Sequence, residues 1–242
     1  MAWVTKNSDE SYEPRPQPRA YTRQEKAANW WHYHWIALAA AVAVILVAAW
    51  VVHDALSQTE PDLRVGYVGT HALPAETAEA LQQALLPYAA DRNGDGEVVV
   101  QVNSYTVTFT GQSSAETAVA DPYAQMAGIT QLSAELGPDG STWLFLLEDP
   151  AGFQAQTMSL QYPDGTVPPD GEAGDWQQMV CRWSDCPVLT ALDLGDAGQA
   201  QLQALYLGCR GSFEEEADPR YTEAGALWHT LTNGAATAAQ AG

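Results

Sequence analysis

Apolar positions are spread very unevenly along this chain. From Ile36 to Val52 every residue is apolar, 17 in a row. At ~1.5 Å per residue the run makes a helix of roughly 26 Å, close to the hydrocarbon thickness of a bilayer. Trp30, Trp31, Tyr33 and Trp35 crowd its start and Trp50 lies near its end, as aromatic rings do at the headgroup level. Residues 30–53 are therefore read as a transmembrane signal-anchor helix. About 35 residues precede the run, whereas a cleavable signal peptide has a shorter apolar region nearer its start.

Downstream the pattern breaks into short segments. Residues 54–62 are a polar spacer. Leu63–Gly69 reads as a first strand. Pro74 opens a helix to about Tyr88, with Ala78, Leu81, Ala84, Leu85 and Tyr88 on one side. Val98–Val102 reads as a second strand buried on both faces, extended by Tyr105–Phe109. Asp121-Pro122 starts a second helix with Met126, Ile129, Leu132 and Leu136 as its apolar side. Thr142–Leu147 is a third strand, and Asp149-Pro150 repeats the helix-start signal. A Pro- and Gly-rich excursion fills residues 160–174, with Trp176–Cys186 ambiguous after it. Val188–Leu194 and Leu202–Cys209 are strand candidates, and Tyr221–Thr232 is a last helix. The β-α-β-α-β order predicts an α/β fold. It implies one layered α/β domain over residues 63–233, with a mostly parallel or mixed sheet and a flexible tail at 234–242.

Charge gives the membrane segment a direction. Residues 1–29 hold Lys6, Arg15, Arg19, Arg23 and Lys26, while only Arg64 falls in the ~20 residues after the apolar run. Lys and Arg stay on the cytoplasmic side. The expected arrangement is a single pass through the plasma membrane with the N-terminus cytoplasmic and residues 63–233 extracytoplasmic. The tail around Glu13–Arg19 is proline-dense and too polar to fold, so residues 1–29 read as disordered. Of 30 carboxylates only four precede the apolar run, which leaves 26 beyond it against five Arg and no Lys. Such a surface repels nucleic acid. Its partners are expected to be membrane lipid through Ile36–Val52, a small-molecule or peptide ligand, and other envelope proteins.

Two local patterns carry candidate chemistry. Asp91, Asn93, Asp95 and Gly96 match the first half of a calcium loop, and the carbonyl of Glu97 supplies a further ligand. Position 12 of the loop is Val102 instead of a bidentate Glu, so an EF-hand is excluded. Two uses remain open: a structural Ca²⁺ held by Asp91, Asn93, Asp95 and Glu97, or a turn whose side chains bond their own backbone. Cys181 and Cys186 are spaced to close a small loop as a disulfide, with Cys209 left over. No catalytic or nucleotide-binding motif is present: there is no Gly-x-Ser-x-Gly, phosphate loop, His-Glu-x-x-His or Gly-x-Gly-x-x-Gly.

The segment Asn29-Trp30-Trp31-His32-Tyr33-His34-Trp35 with its single apolar span resembles uncharacterised single-pass envelope proteins of Gram-positive gut anaerobes. Leu63 to about Phe153 resembles the first lobe of extracellular solute-binding proteins with the type 2 periplasmic-binding fold. There too a strand, helix, strand, helix, strand order leads into a short helix. The resemblance implies a membrane-anchored binding, sensor or accessory module, whose mark is a cleft of aromatic and carboxylate side chains near the strand ends. The alternatives are a structural or assembly protein, marked by an exposed apolar patch, and an envelope hydrolase, marked by a converging nucleophile and base.

Overall fold

The computed structural model describes residues 20, 22–57, 60–109, 121–169, 173–212 and 219–241. The proline-dense Glu13–Arg19 stretch, the loop expected at 111–120 and Glu214–Glu216 lie outside them. Contacts divide the chain at Gln58/Thr59 into a helical unit and an α/β unit, each considered by itself.

The helical unit is α1, Arg23–Ser57. Among the described residues it is the one helix long and apolar enough to cross a membrane. It begins seven residues before the expected boundary at Trp30, and the reason is a capping box. The Thr22 amide donates to Glu25 Oε2 at 2.9 Å and the Glu25 amide donates to Thr22 Oγ1 at 3.3 Å. The helix therefore takes in the end of the polar tail and the start of the spacer.

The second unit is α/β, with a mixed five-stranded sheet in the order β2-β1-β3-β5-β4. Strands β1 (Leu63–Gly69), β2 (Val100–Thr106) and β3 (Leu144–Leu147) are mutually parallel, and β5 (Tyr206–Cys209) runs antiparallel to both β3 and β4 (Val180–Arg182). Central β3 is buried at all four positions. Strand β2 was expected to be buried on both faces, but it forms the sheet edge, with Gln101 and Ser104 exposed. Val188–Leu194 is not a strand. Pro187 at a first helical position starts the short α5, Pro187–Thr190. The second strand candidate divides into the end of α6 (Gly195–Leu202) and β5. Residues 234–242 do not all hang free: Thr237 is buried and α8 (Ala238–Ala241) follows it.

The two faces of the sheet carry separate cores. Val65, Tyr67, Leu144 and Leu146 pack with Leu81 and Leu85 of α2 (Ala75–Leu85), Leu202 of α6, and Trp228 and Leu231 of α7 (Pro219–Thr232). Val68, Phe145 and Leu147 pack with Leu132 of α3 (Pro122–Glu135) and Phe153 of α4 (Pro150–Thr157). This alternation along β1 and β3 is the period-two pattern of strands covered on both sides.

Helix α3 keeps Leu132 and Leu136 of its expected apolar side against the core but turns Met126 and Ile129 outward. Met126 is 69% exposed and Ile129 45%. The inward line is Gln125, Gly128 and Leu132. A Cβ on Gly128 would stand 2.2 Å from the Thr106 carbonyl oxygen, so only glycine permits this approach. Gln125 completes the edge like a short strand, with Oε1 accepting from the Thr108 amide at 2.8 Å and Nε2 donating to the Thr108 carbonyl at 3.0 Å.

Asp62 locks the entry to β1. Its carboxylate accepts from the backbone amides of Arg92 (2.7 Å), Asn93 (3.3 Å) and Val99 (2.8 Å). Burial pushes the Asp62 carboxyl up, but the Val99, Arg92 and Asn93 amides outweigh this and hold it below its ordinary 3.8. A carboxyl lowered by folding stabilises fully above the unfolded value and loses that contribution as pH falls through the folded value. Asp62→Ala should therefore cost about 2–4 kcal/mol at neutral pH. The gap to wild type should close as thermal unfolding is followed from about pH 5 downward.

Candidate functional site

Helix α2 leaves the end of β1 towards one face of the sheet, and α4 leaves the end of the neighbouring β3 towards the other. Adjacent parallel strands whose connections diverge in this way open a crevice beyond their carboxyl ends, where α/β sheets place ligands. Here the crevice has a volume of about 270 Å³ and is bounded by Gly69, Thr70, Thr108, Phe109, Glu148 and Asp149.

Glu148 is its centre. The Tyr67 hydroxyl donates to Oε1 at 2.5 Å, while the Thr70 amide and hydroxyl donate to Oε2 at 2.7 and 3.0 Å. Gly69 makes this possible, because a Cβ there would come within 2.6 Å of the Glu148 carboxyl carbon. Burial, and then the hydrogen bond to Glu148 and its charge, push the Tyr67 hydroxyl well above its ordinary 10.0. Tyr67 thus stays a donor throughout the physiological range. Glu148 itself is exposed, so an oriented anion faces solvent.

Asp149 has a structural task. It caps α4 by accepting from the Gly152 amide at 2.9 Å. His71 Nδ1 lies 3.0 Å from Thr70 Oγ1. The Thr70 hydroxyl thus lies within reach of both the Glu148 carboxylate and the His71 ring.

A second cleft, about 420 Å³, opens at the opposite, amino-terminal end of β1, among Leu63, Tyr88, Trp143 and Leu227, with the Arg92–Glu223 ion pair at its edge. Its lining is mainly apolar, with the buried Asp62 carboxylate turned to the amides of Arg92, Asn93 and Val99.

The Asp91–Glu97 segment is a turn whose side chains meet its own amides. Asp91 accepts from Gly94 (2.7 Å) and Gly96 (3.0 Å), Asn93 from Asp95 (2.8 Å), and Asp95 from Glu97 (2.8 Å). Gly94 and Gly96 take positive φ, 73° and 87°. Among the described residues no three His, Cys, Asp or Glu side chains gather as metal ligands. Cys181 and Cys186 are buried free thiols in the same core. The structure thus brings the two cysteines together and leaves the Asp91–Glu97 turn away from the crevice.

Sequence reasoning did not single out Gly69, Thr70 or Glu148. Glu148 stands 78 positions from Thr70, and only the β1–β3 register makes them neighbours. No family model, curated protein or solved structure matches this chain.

Proposed function

We propose that this protein is a membrane-anchored extracytoplasmic binding or sensor module of the cell envelope. The observation that carries the reading is the Glu148 carboxylate, held by Tyr67 and Thr70 at the switch point between β1 and β3. A volume of 270 Å³ sits just below the ~300 Å³ at which pockets for drug-sized molecules begin. The site therefore suits a ligand no larger than an amino acid or monosaccharide, presenting an ammonium group or hydroxyls to Glu148 with its apolar side on Phe109. The order β1-α2-β2-α3-β3-α4 supports the likeness to the first lobe of solute-binding proteins. Placement outside the cell rests on the five cations before the apolar run and the 26 carboxylates after it.

The test is a thermal-shift screen of the full chain in detergent micelles against amino acids, small amines and monosaccharides. The reading expects at least one compound to raise the Tm. A flat response across all three classes would overturn it. Calcium enters the proposal only as a structural ligand of Asp91, Asn93, Asp95 and Glu97, using the lone pairs that the turn leaves over. Its test is a Ca²⁺-dependent rise in Tm that Asp91→Ala removes.

One observation favours a second reading, assembly with another envelope protein. Tyr123, Met126 and Ile129 on the outer side of α3 are 86%, 69% and 45% exposed.

A further inference from the structure

Three cysteines lie in the α/β unit, and the binding site uses none of them. Cys181 is the middle residue of β4, the edge strand opposite β2. After β4 the chain makes a single 3₁₀ turn, Trp183–Asp185, closed by the Cys186 amide donating to the Trp183 carbonyl at 3.1 Å. That turn reverses the chain and returns Cys186 to the core that Cys181 enters. Both residues are 0% exposed and pack in the same core. The surrounding contacts fix each sulfur: Cys181 Sγ lies 3.7 Å from the Ala235 carbonyl and Cys186 Sγ 3.2 Å from the Arg182 carbonyl. Cys209 is held differently, on β5, with the Gln161 amide donating to its sulfur at 3.3 Å.

We propose that Cys181 and Cys186 form an intramolecular disulfide during folding, which the finished core then seals, while Cys209 stays a buried thiol. A single 3₁₀ turn between two cysteines buried in one core leaves the short loop that a disulfide can close. The reaction removes the two thiol hydrogens as two protons and two electrons and forms one S–S bond. The acceptor is a disulfide of an exported oxidoreductase or of a small thiol, which is reduced to two thiols. Neither sulfur is reachable once β4 has paired with β5, so the exchange precedes that pairing. In the folded protein the bond resists reduction for the same reason.

In the cell the proposal rests on the outward placement given above, but its chemistry does not. The test refolds the full reduced chain in detergent micelles with a mixture of reduced and oxidised glutathione. The product is denatured, blocked with N-ethylmaleimide and weighed. One adduct, mapped to Cys209, is expected, against three when dithiothreitol is present during denaturation. Dithiothreitol added to the native product and removed before denaturation should leave the count at one. Three adducts after oxidative refolding, a bond that includes Cys209, or ready reduction of the native product would each overturn the proposal. Protein taken directly from cells under acid quench separates the two claims. Three adducts there with one after refolding place the domain in a reducing compartment and leave the disulfide chemistry intact.

Discussion

Arg210→Met is expected to destabilise the α/β unit by about 3–4 kcal/mol and to lower its Tm by roughly 6–12 °C. Arg210 is only 5% exposed. Its guanidinium donates to the carbonyls of Glu135 (2.9 Å), Leu136 (2.9 Å) and Gly137 (3.0 Å). These are the orphan acceptors at the end of α3, where the helix dipole is negative. The charge also stacks 5.0 Å from the Trp143 ring centre. Methionine keeps much of the apolar stem but leaves these carbonyls without their donors inside the protein. Arg210→Lys should recover only part of the loss, since one ammonium cannot span the fork of acceptors. Thermal unfolding of the variants beside wild type reads the effect. A loss below 1 kcal/mol would show that water replaces the guanidinium.

Gly140→Ala acts on the same corner and should cost about 2–4 kcal/mol. A Cβ at Gly140 would lie 1.6 Å from the Glu135 carbonyl oxygen and 3.1 Å from Arg210 Nη1. Since the first of those atoms is backbone, the turn after α3 must move, and the Arg210 contacts move with it. The loop at this corner also depends on Glu135, whose Oε1 accepts from the amides of Ser141 (2.8 Å) and Thr142 (2.7 Å). The control is Gly225→Ala in α7, where the nearest atom to a Cβ is 3.6 Å away. That change should be neutral or stabilising by up to about 1 kcal/mol. Because Gly140 and Arg210 serve one corner, the double variant should lose less than the sum of the two single losses.

These residues show where the sequence stops being readable. The apolar run of α1, the strands β1 and β3 and the Asp-Pro starts of α3 and α4 were legible, because each signal lies within one segment. The capping box at Thr22 and Glu25 is equally local, but it sits inside a tail whose polar, proline-dense composition masks it. Helix α3 misled because its inner side is Gln125, Gly128 and Leu132, so its apolar periodicity points partly to solvent. Strand β4 has three residues, too few to show a period. Arg210 read as one charge among many until β5 placed it over the end of α3. The crevice was legible only as an expectation of a cleft near strand ends. Gly69, Thr70 and Glu148 meet through sheet register alone.

The central claim is that Glu148 at the β1/β3 switch point binds ligand. It is tested most directly by calorimetric titration of wild type and Glu148→Gln with the amino acid, amine or sugar that shifts the Tm most. Wild type should bind with one site. Glu148→Gln should keep its fold, because Gln preserves the shape and one acceptor for Tyr67 and Thr70. Its affinity should fall by about 10–100-fold, the cost of losing hydrogen bonds to a charged group. Equal affinity in the two proteins would contradict the assignment and place the ligand elsewhere on the domain.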